Sequence, residues 1–233
     1  MDRTGRPTVE VDDPTTWPPD VRRAVADAAS LIREPDNTTD LEPGDEARQS
    51  IAEALDGCRV LVHHATRLLP HEVAMIWDHG LRALDDELIR DKLDAGVENG
   101  FLDARERDEL WAQRAPLDGT TGDRRGMVWA ISNRADVTEQ NPGARPLLQN
   151  WGGEATYWRH ERTQRLRGLG DAMVVSFTVE AVDDRSQRWY PRLANAFLGT
   201  HLMLPESSSE VCVRHSIDPD AIVEIAIAGA RSS

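Results

Sequence analysis

Val21, Val25, Ala28, Ala29 and Ile32 recur at the spacing of one helix face, behind Pro18, Pro19 and Asp20, which together form a helix start. The spacing predicts a helix there. The segment 34–45, dense in Pro, Asp and Thr, interrupts the chain, and a second helix fits Glu46 to Leu55 with Ile51, Ala54 and Leu55 on one side and Gly57 as its stop. Residues 1–19 show almost no apolar periodicity and are expected to form a loose arm, with residues 1–45 at the periphery.

From Cys58 the pattern changes. Cys58 to Leu68 reads as the first strand, β-branched and apolar from Arg59 to His63 and ending in the polar cluster His63-His64-Ala65-Thr66-Arg67. Pro70 at a first helical position, followed by Val73, Ile76 and Trp77, predicts a short helix ending at Gly80. Two further helices fit Asp85 to Val97 and Asp103 to Ala112, the second capped by Asp103; their charges alternate in sign, as on solvated outer helices.

The remainder is mostly strand. Met127 to Ser132 and Met173 to Val182 read as strands, Leu147 to Trp151 as one helical turn stopped by Gly152-Gly153, and Glu154 to Trp158 as a strand or a short helix. A helix is expected between Gln187 and Phe197. Strands Glu210 to Ser216 and Ile222 to Ala228 close the chain around the turn Asp218-Pro219-Asp220. Helices first and strands later make an α+β pattern, so a split β-sheet core with helices grouped on one side is expected, and no regular βαβ alternation or internal repeat is visible. No G-x-G-x-x-G or G-x-x-x-x-G-K-[ST] run occurs.

Composition narrows the functional classes. The 233 residues suffice for one large domain, or one domain with an extension, without disulfide support. A net charge of −14 argues against electrostatically driven binding to nucleic acid or an anionic membrane. Residues 1–57 hold 14 acidic against 6 basic residues, so the acidity is concentrated there, and the chain is expected to divide into an acidic N-terminal arm with helices (1–57) and an α+β domain (58–233). No run approaches the length of a bilayer span and the start lacks a signal-peptide apolar core, so a soluble cytoplasmic protein is expected. Cys58 and Cys212, each inside an apolar alternation, read as reduced buried thiols.

Chemistry is concentrated at the exit of the first strand. Alternation along a strand turns His63 and His64 to opposite faces. A zinc site joining either of them to His71, His79 or His160 is one possible use, but no H-E-x-x-H spacing supports it. Ser132 and Ser176 lack the G-x-S-x-G setting of a serine hydrolase.

A strand ending in His-x-Thr, followed by a short helix that stops at glycine, resembles the first motif of the diphtheria-toxin and PARP type of ADP-ribosyltransferases, whose three motifs are written His, Tyr, Glu. The matching residues are His64 and Thr66, with Leu68 to Gly80 as the following helix and turn. The second motif falls on Val128 to Ser132, where an aromatic-x-x-Ser pattern supplies Trp129 and Ser132 and departs from the family's tyrosine. The third is similar to Ser207-Ser208-Ser209-Glu210, with Ile217-x-Pro219-x-x-Ile222 resembling the closing segment, so that the likeness spans roughly residues 58 to 228.

The resemblance implies NAD as substrate and transfer of ADP-ribose to an unknown acceptor such as a protein, or hydrolysis of NAD. His64 would position a ribose, Glu210 would stabilise the developing oxocarbenium, and Trp129 or Trp151 would stack on nicotinamide, all lining one cleft. Other readings stay open: Glu210 as a solvated acid at a strand start, Trp151-Gly152-Gly153 as a helix stop with a core tryptophan, and Glu154 as a competing catalytic acid. A catalytically silent nucleotide- or protein-binding module is the main alternative function, and a His-ligated metal hydrolase the third.

Overall fold

A computed structural model describes residues 5–32, 41, 44–115, 124–157, 166–205 and 207–229. Trp158, His160 and most of the segment 34–45 lie outside these residues. The protein is α+β. Its strands are β1 (Thr8–Val9), β2 (Arg59–Leu68), β3 (Val128–Ile131), β4 (Asp171–Glu180), β5 (Gln187–Tyr190), β6 (Glu210–Val213) and β7 (Ile222–Ile227). They form one open, mostly antiparallel sheet in the order β5-β6-β3-β2-β4-β7, with β1 added parallel to β2. The helices among the described residues are α1 (Pro19–Ala29), α2 (Asp45–Ala54), α3 (Pro70–His79), α4 (Asp86–Glu98), α5 (Ala104–Gln113), α6 (Arg145–Gln149), α7 (Glu154–Tyr157) and α8 (Leu193–His201).

The chain divides into two compact units, and the division does not fall at residue 57. The first holds residues 1–63, 129–136 and 176–213; the second holds 64–128, 137–175 and 214–233. β2 and β4 each contribute residues to both.

In the first unit, α1 packs on α2 and α8, burying Val21, Val25 and Ala28 of α1, Ile51 of α2 and Phe197 and Leu198 of α8. The N-terminal segment is core, not a loose arm. Thr8 and Val9 pair with Arg59 and Val60, and the Arg59 N–H donates to the Pro7 carbonyl at 2.9 Å. Val9, Val11 and Trp17 are buried; Trp17 lies 4.9 Å from the Phe197 ring and donates its indole N–H to the Glu10 carbonyl at 2.7 Å. Only Val9 and Val11 alternate in this stretch, too short a signal to stand out among the prolines and threonines.

The expected helix from Gln187 to Phe197 is corrected to a strand followed by a helix. Gln187 and Trp189 are buried while Arg188 and Tyr190 face outward, the alternation of a strand, and the pairing of β5 with β6 sets Tyr190 opposite Glu210. Pro191 then separates β5 from α8, since it cannot donate to a ladder.

The second unit is built round Leu69, Ile89, Leu93, Leu102, Leu110, Trp151, Ala155, Tyr157 and Leu166. α4 and α5 are amphipathic as read, each with a charged outer face, an aspartate cap (Asp85, Asp103) and inward Ile89, Leu93 and Leu110. α3 stops at Gly80, whose φ of +80° and close approach to the Ile217 carbonyl leave no room for a Cβ. Residues 154–157, open between strand and helix in sequence, form the short helix α7.

Candidate functional site

β2 runs five residues further than its apolar half, through His63-His64-Ala65-Thr66-Arg67 to Leu68. A strand with neighbours on both sides satisfies its backbone along its whole length, so polar side chains do not end it. His63 lies directly opposite Ile131 of β3, and alternation turns His64 away from it.

His63 is 2% exposed and committed to the interior of the first unit. Its Nδ1 meets Ser176 Oγ at 2.9 Å, and Arg134 donates to the same hydroxyl at 3.0 Å. A hydroxyl that accepts from Arg134 still has its proton to give to a neutral His63 ring at Nδ1. Burial, with the Arg134 charge in support, pushes the His63 pKa down to about 4. Burial likewise raises the carboxyls of Glu10 and Asp12, each against an opposing influence of Arg134. Ser176, 1% exposed, is closed to a substrate.

Among the expected site residues, the first unit brings together Trp129, Ser132 and Glu210. The Ser132 N–H donates to the Ser209 carbonyl at 2.9 Å, and Ser209 N–H donates to Ser132 Oγ at 2.8 Å. This double clasp fixes the residue before Glu210 against the end of β3. It also uses the buried Ser132 hydroxyl structurally. Glu210 itself is exposed, while Val211, Cys212 and Val213 behind it are buried. Trp129 stacks on Tyr190, ring centroids 6.0 Å apart and planes 20° off parallel, so an aromatic pair stands on the residue opposite Glu210. Sequence reasoning missed Tyr190 because the stretch was read as helix; the alternation of residues 187–190 was the available signal.

His64, Thr66, Trp151 and Glu154 belong to the second unit. His64 is half-buried and Thr66 buried on β2. Trp151 is corrected from stacking face to core anchor: it is 0% exposed, and its indole N–H donates to Glu72 Oε2 at 2.7 Å. The same oxygen accepts the Leu69 N–H at 2.7 Å, and Lys92 Nζ sits 2.7 Å from Oε1 and 5.6 Å from the Trp151 ring. Burial pushes the Glu72 carboxyl up, but Lys92 and the two N–H donors together hold it below its ordinary value. Glu154, half-exposed, pairs with Arg124 at 2.9 Å.

Among the described residues, no group of three or more His, Cys, Asp and Glu side chains could hold a metal ion. No helix among them is long and apolar enough to cross a membrane. Compared with family models, with curated proteins and with solved structures, the chain has no match.

Proposed function

We propose that the protein cleaves the nicotinamide–ribose bond of NAD and passes ADP-ribose to an acceptor or to water, in the manner of the ADP-ribosyltransferases and on a single open sheet in place of the expected split one. The strand order carries this reading. The second and third motif positions fall on β3 and β6, far apart in sequence, neighbours in the sheet and both in the first unit. The clasp between Ser132 and Ser209 and the aromatic pair opposite Glu210 add a fixed, exposed carboxylate beside a flat surface.

The chemistry needs little more. As the bond between ribose C1′ and the nicotinamide nitrogen breaks, the ring leaves neutral, taking the bonding electron pair, and positive charge gathers on the ribose. A carboxylate held beside that ribose stabilises the charge most where it is greatest, in the transition state. The acceptor or water then bonds to C1′ and gives up its proton. Glu210 takes the carboxylate role and Trp129 the stacking role through its partner Tyr190; His64, turned by strand alternation from the face of β2 that His63 shares with Ile131, and Thr66 on the same side as His64, belong to the second unit and take no role at this carboxylate.

Incubating the purified protein with NAD and following free nicotinamide tests the proposal. Release above the spontaneous rate is expected. NAD binding without release would favour a silent nucleotide-binding module, and no NAD binding a protein-binding one.

A further inference from the structure

The two edges of the sheet are finished differently. β5 is four residues long, carries the exposed Arg188 and runs into Pro191, and shortness, charge and proline each keep an edge from pairing with another chain. β7, the edge at the other end, is six residues long, Ile222-Val223-Glu224-Ile225-Ala226-Ile227, with no lysine, arginine or proline in it. Val223 and Ile227 are 55% and 59% exposed, and Ile225 between them is half-buried on the same face. The Ala228 N–H donates to the Ala172 carbonyl at 2.8 Å, toward β4. Backbone groups alternate in direction along a strand, so those of Glu224 and Ala226 also point to β4. Those of Val223, Ile225 and Ile227 point outward, where no strand among the described residues pairs with them.

We infer that β7 is the surface by which two copies of this chain pair, antiparallel and about a two-fold axis at Ile225. That register sets Ile225 against its own copy and Val223 against Ile227, so every outward N–H and C=O of one strand meets an outward group of the other. It also joins the two aliphatic rows on one face and sets Glu224 opposite Ala226. Charge and ladder geometry select it over its neighbours. An axis at Glu224 would oppose two carboxylates at the closer, non-hydrogen-bonded spacing, and an axis at Ala226 would carry Val223 past the end of the partner strand. A slip of one residue would set outward groups against groups already bonded to β4 and turn the aliphatic rows to opposite faces. A two-fold pair closes on itself, so the edge is consumed and no third copy is recruited. The pairing does not depend on the NAD reading.

Sedimentation and light scattering of the full chain over a range of concentrations test the inference. A monomer–dimer equilibrium in the micromolar range is expected, as suits a contact at the small end of specific interfaces. Val223→Lys, at a position open to solvent in the single chain, and Ile225→Lys, which sets lysine against lysine at the axis, should each weaken the dimer by about 10-fold or more, while Glu224→Gln, opposite Ala226, should leave it within about 2-fold. Hydrogen exchange at rising protein concentration should slow at the amides of Val223, Ile225 and Ile227 and stay unchanged at those of Glu224 and Ala226, which already face β4. A monomer at every concentration would leave the edge to a different occupant and overturn the inference. So would a dimer that keeps its affinity in Val223→Lys with the circular dichroism of the parent, or growth beyond the dimer.

Discussion

Removing the side chain of Lys92, the only lysine in the chain, should cost far more than removing a surface charge. Lys92 Nζ lies 2.7 Å from Glu72 Oε1, and the two side chains are 20% and 8% exposed. In Lys92→Met, Glu72 keeps the Leu69 and Trp151 N–H donors on Oε2 but loses the ammonium at Oε1. A buried carboxylate stripped of its partner costs about 3–5 kcal/mol, against about 0–1 for an exposed pair. Glu72→Gln alone turns an amide NH2 toward the Lys92 ammonium, donor against donor, while its oxygen still accepts both N–H groups. The double variant relieves that clash, so it should be more stable than the sum of the single losses by about 2 kcal/mol or more.

The pH dependence supplies a second check. The Glu72 pKa is depressed on folding, so its contribution is present above the unfolded value near 4.5 and is lost as pH falls through the lower folded value. Without Lys92, burial dominates and the carboxyl takes up a proton at a higher pH. Urea unfolding of parent, both single variants and the double variant at pH 7 and pH 5 reads these differences directly, and the gap between parent and Lys92→Met should narrow at pH 5. A loss under about 1 kcal/mol at pH 7, or a gap independent of pH, would refute the account of Glu72 as a buried, ionised hub.

Two other outcomes follow from the first unit. Deleting residues 1–17 removes the β1 ladder together with buried Val9, Val11 and Trp17; at about 1.5–3 kcal/mol per buried side chain the loss rivals the stability of a whole domain, so circular dichroism should show no cooperative melt, and a parental melting temperature would return the arm to the periphery. His63→Phe should flatten the acid side of the stability curve: with its folded pKa near 4 and an unfolded value near 6.5, His63 costs nothing above pH 6.5 and up to about 3 kcal/mol by pH 4, so urea midpoints of parent and variant should converge on acidification, and parallel curves would contradict a buried neutral ring.

Much of this fold can be read from local pattern. Asp85, Asp103, Pro70 and Gly80 mark helix ends in sequence and do so in the structure, because capping is decided within one turn. What escaped is set by distant partners. β1 is two residues long and exists because Arg59 and Val60 are there to pair with it. β2, by contrast, was legible over its whole length from Cys58 to Leu68, its polar half included. Trp151 and Glu72, 79 residues apart, meet only in the folded core, so a tryptophan before two glycines gave no hint of its hydrogen bond. At the candidate site, Ser132 and Glu210 were visible one by one, whereas Tyr190 becomes relevant only through its register with Glu210.

The central claim is that Glu210 carries the charge stabilisation for NAD cleavage. Single-turnover release of nicotinamide, measured beside NAD affinity in Glu210→Gln and Glu154→Gln, tests it most directly. The account predicts that Glu210→Gln binds NAD within a few-fold of the parent and slows cleavage by roughly 10²- to 10³-fold, the loss typical of one electrostatic stabiliser, while Glu154→Gln, whose carboxylate pairs with Arg124 in the second unit, leaves cleavage near the parental rate. Parental cleavage by Glu210→Gln, with collapse in Glu154→Gln, would contradict it.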